Sequence, residues 1–232
     1  MAKRILFIQH YDTELEDTAW SYLGALGYER IAVQPFKGET LPALDDFAGI
    51  VVYGGSQNVS EFDKFPFLAD EAALIKRAIE QNIPTLGICL GGQLICHALG
   101  GEVSRRNPVE CEFGLYPLTA AAASENWIPS PFYVAQAHYE EFSIPQGAVR
   151  LASSERFPNQ AFRFGENTFA LQFHPETTEE IFKDWQVADW AMYEVNGAQT
   201  KSEQDSLIEQ HCAAQLHWFK QLLQTLFSSD ND

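Results

Sequence analysis

The amino-acid sequence predicts an α/β protein: a mostly parallel central sheet with helices on both faces, extended by mixed and antiparallel strands. Two changes of pattern carry this expectation. Over residues 4–101, short apolar runs alternate with amphipathic segments. Parallel neighbours need a long crossover, usually a helix, so this alternation implies a parallel sheet covered on both sides. Over residues 102–175 the runs become shorter and more alternating, separated by turn signals such as Pro129-Ser130-Pro131 and Gly165-Glu166-Asn167. Those read as hairpins and mixed strands added to the core.

In order, Arg4–Gln9 reads as a buried strand and Glu14–Leu26 as a helix, with Leu15, Ala19, Tyr22, Leu23 and Leu26 at helical spacing and Gly27 as C-cap. The acidic run Glu14–Asp17 reads as its solvated N-terminus. Ile31–Gln34 and Gly49–Tyr53 are strands, Phe67–Gln81 a helix, Pro84–Ile88 a strand and Gly91–Leu99 a helix ending at Gly100-Gly101. Gly114–Leu118, Phe132–Ala135, Val149–Ser153, Ala161–Phe164 and Thr168–Phe173 are the added strands. A helix over Glu179–Glu194, a polar loop Asn196–Gln204 and a helix Leu207–Phe227 follow. No Pro/Ser linker and no repeat divides the chain, so residues 1–232 are expected to form a single domain with C-terminal helices at 178–228.

The chain has 15 Lys plus Arg against 32 Asp plus Glu, a formal net charge of −17. Nucleic acid and anionic membrane surfaces demand a positive footprint, so neither is an expected partner. The apolar run after basic Met1–Arg4 is too short for a signal peptide, and no apolar stretch is long enough to span a bilayer. The four cysteines include no C-x-x-C pair. A reduced, cytoplasmic protein without a metal or redox cofactor is the expectation.

The chemistry concentrates in Leu86–Gly101, L-G-I-C-L-G-G-Q-L-I-C-H-A-L-G-G. An apolar strand runs through a small-residue turn into a helix, with Cys89 at the junction, as in a nucleophile elbow. The thiol faces the positive end of the following helix, and the Leu90 N–H points into the same space as an oxyanion donor. A thiolate nucleophile needs a base and the base an orienting acceptor. Ala170–Glu176, A-L-Q-F-H-P-E, supplies both: a strand ends at His174, Pro175 stops the ladder, and Glu176 turns back to hold the imidazole. Read singly, Cys89 is a small buried residue and His174-Pro175-Glu176 a strand exit; together they form a Cys–His–Glu triad.

G-I-C-L-G-G-Q with L-Q-F-H-P-E resembles the triad type of the class I glutamine amidotransferase family. Over roughly residues 4–180 the similarity follows the family's order, nearest the free-standing GMP-synthase-like members. The resemblance implies a flavodoxin-like core and hydrolysis of glutamine through a γ-glutamyl thioester with release of ammonia. It places Tyr53-Gly54-Gly55-Ser56-Gln57-Asn58-Val59 as the oxyanion loop, with Gly55 and Leu90 as backbone donors. It places Gly54, Gln93, His138 and Tyr139 at the substrate. The sequence departs from the family at Ser56, where many members carry proline, and at Glu140, where Asp is usual. Glu110, at a position often basic, argues against acidic or phosphorylated substrates.

No synthetase module accompanies these motifs. The ammonia passes either to a separate synthase subunit, whose docking face is then basic or apolar, or to water, which includes γ-glutamyl peptide or γ-glutamyl amine hydrolysis. A non-catalytic regulatory protein on the same fold is the alternative of another class. Elsewhere, Cys96, Cys111, Cys212 and His97 read as structural. His10 reads as a strand-end residue with a structural hydrogen bond or a place in the cleft. Trp185, Trp190 and Tyr193 read as helix packing or a partner surface.

Overall fold

The structure, a computed structural model, describes residues 3–228. Residues 1–2 and 229–232, at the two ends of the expected domain, lie outside it. Eleven strands form a nine-stranded sheet and a two-stranded one. The parallel half comprises β1 (Arg4–Ile8), β2 (Glu29–Val33), β3 (Phe47–Val52), β4 (Thr85–Ile88) and, from far along the chain, β11 (Thr168–Leu171). Its order, β2-β1-β3-β4-β11, continues antiparallel through β10 (Ala161–Phe164), β9 (Ala148–Ser153), β6 (Glu112–Ala120) and β7 (Phe132–His138). The expected mostly parallel sheet with antiparallel additions is thus present. A small antiparallel pair, β5 (Val103–Arg105) with β8 (Glu140–Phe142), lies beyond the sequence expectation: its strands are three residues each, too short to show a period.

Alternate residues of β1 feed opposite cores. Ile5 and Phe7 pack with residues of α1 (Thr18–Ala25) and α5 (Lys201–Phe227). Leu6 and Ile8 pack with α2 (Phe67–Glu80) and α3 (Leu90–Ala98). Helices therefore cover both faces, as a parallel sheet requires.

Three helices depart from the sequence expectation. α1 starts at Thr18, not Glu14, because the Asp17 carboxylate accepts from the Ala19 and Trp20 N–H groups at 2.8 and 3.2 Å. Asp17 is therefore a buried N-cap and not part of a solvated acidic run. α4 spans only Glu179–Trp185. Beyond it, the Gln186 amide is drawn to Gln204 and Asp205 at 3.1 and 2.9 Å, and Trp190 and Tyr193 swing onto Phe113. α5 begins at Lys201, inside the expected polar loop, because Thr200 and Glu203 form a capping box.

α5 buries Trp218, Phe219, Leu222, Leu223, Leu226 and Phe227. Phe227 lies over Gly49 in β3 so closely that a Cβ there would come within 2.4 Å of its ring. Midway along the helix, the Gln215 amide accepts from the Ala135 N–H of β7 at 2.6 Å and donates to the Thr177 carbonyl at 3.1 Å. α5 thus ties the added strands to the loop that follows β11.

Candidate active site

β4 and β11 are parallel neighbours, with Ile88 opposite Leu171. Both chains leave the sheet at the same edge, where ligand sites of open α/β sheets lie. Cys89 leaves β4 at φ 52°, ψ −109°, a left-handed backbone that a side chain rarely adopts, and becomes the N-cap of α3. Its N–H is held by the Leu171 carbonyl at 2.7 Å and its carbonyl by the Gln93 N–H at 2.9 Å. The surrounding glycines are steric requirements: a Cβ on Gly87 would sit 2.4 Å from the Gly91 carbonyl oxygen, and one on Gly91 2.1 Å from that of Val52.

Two residues past β11, the His174 N–H bonds the Ala135 carbonyl at 2.8 Å. The His174 Nδ1 meets Glu176 Oε1 at 2.8 Å, and the imidazole is hydrogen-bonded to the Cys89 side chain on its other side. Both His174 and Glu176 are 7 % exposed. Burial works against protonation of His174, but the Glu176 carboxylate and the Cys89 sulfur outweigh it and lift the imidazole pKa to about 10. An imidazole so placed carries a proton at neutral pH and faces the sulfur as a cation. The structure therefore brings the three residues of the expected triad together.

The remaining predicted residues fall around one cavity of about 790 Å³. Gly54 lies against the triad: a Cβ there would reach His174 Cε1 at 2.8 Å. Gly55, Gln93, His138 and Tyr139 line the cavity, with Tyr139 donating to Asn58 at 3.1 Å. The Leu90 side chain is buried, as expected for the first residue of α3. His138 offers a ligand little more than its ring edge, because Nδ1 is taken by the Glu140 carbonyl at 2.9 Å and Nε2 by Glu112 at 3.1 Å. His10 does both things expected of it: it lines the cavity and bonds Glu71 of α2 at 2.8 Å.

Three neighbours of the triad escaped the sequence reading. Gln172 donates to Cys89 Sγ at 3.7 Å and accepts from Gln93 at 3.3 Å; it stood in plain view within L-Q-F-H-P-E. The Trp185 ring stands edge-on to the His174 ring, centroids 4.9 Å apart, and with Trp190 it lines the cavity. These tryptophans are therefore wall, not only helix packing. Asp17 accepts from the Tyr53 hydroxyl at 2.8 Å, and the Thr18 N–H bonds the Glu176 carbonyl at 3.1 Å. Burial and the nearby Glu176 charge push the Asp17 carboxyl up to about 6. Away from the site, burial pushes the Cys96 and Cys111 thiols up to about 11, in keeping with inert thiols.

A strained thiol at a strand–helix elbow, facing a buried imidazole–carboxylate pair on a doubly wound sheet, defines a class of cysteine-based amide-cleaving sites. Comparison with known proteins narrows the class. Residues 11–190 match the family described as Glutamine amidotransferase class-I, and the chain belongs to that family. The glutamine-hydrolyzing subunit of the GMP synthase of Sulfolobus acidocaldarius is 38 % identical over 69 % of this chain and 85 % of its own. Gamma-glutamyl peptidase 4 of Arabidopsis thaliana is 28 % identical over 61 % of this chain and 58 % of its own. A crystal structure of a glutamine amidotransferase from Thermotoga maritima, 27 % identical, superposes with a TM-score of 0.86 over 99 % of this chain and 100 % of that one. Among the described residues, no helix is long and apolar enough to cross a membrane.

Proposed function

We propose that this protein is a cysteine-dependent amidase that hydrolyses γ-glutamyl amides, glutamine among them, through a thioester intermediate. The observation that carries the reading is the 2.8 Å His174–Glu176 bond behind an imidazole hydrogen-bonded to the elbow thiol. Cys89 attacks the side-chain carbonyl, and the carbonyl oxygen gathers charge against the Gly55 and Leu90 N–H groups. His174 gives its proton to the leaving nitrogen, and the C–N bond breaks. Water then enters with His174 as base, releasing glutamate and restoring the thiol. Glu176 orients the imidazole and stabilises its charge. Gly54, Gln93, His138 and Tyr139 form the floor and sides for the γ-glutamyl half.

The fate of the nitrogen divides this reading in two. The Sulfolobus relative is by name one part of a synthase, which supports a glutamine-handling protein delivering ammonia to a separate synthase. The cavity, several times what a free amino acid fills, supports a hydrolase of larger γ-glutamyl compounds. A catalytic thiol fits a reducing, cytoplasmic setting.

Treatment with a glutamine-mimicking diazo-ketone tests the amidase reading. A single adduct on Cys89, absent in Cys89→Ser, is expected. Unmodified Cys89 alongside full biological activity of Cys89→Ser would point to a binding protein instead. Turnover of glutamine only in the presence of a synthase partner would favour the synthase arrangement over the hydrolase.

A further inference from the structure

We propose that the leaving-group side of the cavity is built for an extended, cationic amine, so that the preferred substrates are γ-glutamyl conjugates of linear diamines; this rests on the amidase reading above. His174 fixes which side is meant, because it must face the nitrogen that departs. Trp185 stands edge-on to His174, and Trp190 continues from it with ring centroids 5.8 Å apart. Whatever leaves the thioester therefore passes along an aromatic wall, completed by Tyr11, Ile181 and Met192.

Charge selects among the molecules that such a wall accepts. Six carboxylates line the cavity, Glu14, Glu16, Asp17, Glu140, Glu176 and Asp184, and no lysine or arginine does among the described residues. Two are engaged, Glu176 with His174 and Asp17 with the cap of α1 and Tyr53. Glu14, Glu16 and Asp184 sit at the exposed mouth, and no salt bridge to any of them is formed among the described residues. A second, independent feature points to a ligand: the Thr177 hydroxyl, in a residue only 1 % exposed, lines the same wall beside Ile181 with no hydrogen-bond partner. Buried hydroxyls normally have one. A departing amine supplies an N–H within the cavity, an aliphatic spacer suits Trp185 and Trp190, and a distal ammonium meets both ring faces and mouth carboxylates. A leaving group ending in a carboxylate would meet like charges with no counterion.

The reaction balances without a further reagent. The Cys89 sulfur bonds to the γ-carbon, the C–N bond breaks, the amine takes the His174 proton, and water later yields glutamate and the thiol.

The test compares kcat/KM of the full chain for glutamine, γ-glutamylglycine and the γ-glutamyl conjugate of a four-carbon diamine. The diamine conjugate is expected to exceed both others by about 10-fold or more, with the margin over γ-glutamylglycine shrinking as salt rises, because mouth charges are screened. Asp184→Lys is expected to narrow that margin several-fold. Hydrolysis of glutamine or γ-glutamylglycine with the diamine conjugate no better, or a margin insensitive to salt and to Asp184→Lys, overturns this proposal alone. Hydrolysis of none of the three overturns the amidase reading and this proposal with it.

Discussion

Cys89 holds a left-handed backbone that costs about 1–3 kcal/mol when a side chain is present. The fold sustains it with hydrogen bonds on both sides of the residue. Cys89→Ser changes one atom and keeps the turn, so activity is expected to fall at least ~10³-fold with little change in the urea midpoint. Glu176→Gln removes the charge that lifts His174. Its imidazole, followed by NMR, should titrate well below the native value near 10, and kcat should drop by about 10²-fold or more. Asp17 presents the opposite case. Its carboxyl is raised to about 6 in the folded chain, above the ordinary unfolded value near 3.9. The unfolded state therefore loses this proton first, and stability from this group falls as pH rises from about 4 to about 6. Asp17→Asn keeps an N-capping oxygen and has no charge to bury. The stability difference between variant and wild type should grow in the variant's favour across that window, by on the order of 2 kcal/mol, measured by urea unfolding at a series of pH values.

The elbow strand, β4, and the end of β11 were legible because their signal is local: an apolar run, then Gly-Ile-Cys-Leu-Gly-Gly or His-Pro-Glu, read within a few residues. The ends of α1, α4 and α5 were set by side chains reaching elsewhere, and those show no period. Asp17 ended the reach of α1 by capping it, and Gln186 left the helical path for Gln204. Gln215 looks like any polar residue in a helix, yet its partners are 80 and 38 residues away. Gln215→Ala strands two buried backbone groups, each costing about 1–3 kcal/mol. A stability loss of about 2–4 kcal/mol is expected, and a fall in kcat with it, because the Thr177 carbonyl belongs to the triad loop. Gly49→Ala offers a second check on α5, since a methyl group must displace Phe227; about 1–3 kcal/mol of destabilisation is expected from the overpacking. Unchanged urea midpoints in both variants would contradict the packing described for this helix.

Across the whole chain, one linkage and one boundary follow from the fold. The His174 pKa is raised above its unfolded value near 6.5, so its contribution to stability is complete below that pH and is lost as pH rises toward 10. Wild type and His174→Ala should therefore converge in stability at the alkaline end, seen by urea unfolding between pH 6 and pH 10. Residues 197–228 carry six of the large apolar side chains of the core next to β1 and β3. Truncation at Asn196 is expected to yield insoluble or molten protein, judged by near-UV circular dichroism; a well-folded monomer would show that α5 is dispensable. The single-domain expectation for this chain makes a sharper demand, one unfolding transition reported alike by tryptophan fluorescence and backbone signals. The net charge of −17, at first only a reason to set aside nucleic acid and membrane, meets the site at the mouth of the cavity, where Glu14, Glu16 and Asp184 gather.

The place of α5 has a consequence for the order in which the protein becomes an enzyme. Every strand of the sheet leaves the ribosome before this helix does, and the elbow thiol precedes it by more than a hundred residues. Until α5 docks, the Thr177 carbonyl and Ala135 N–H lack the amide that clasps them. A nascent chain therefore holds its nucleophile before its base is fixed. Reactive chemistry is withheld until synthesis has passed α5, so the helix acts as a timer on the active site as well as a wall of the core.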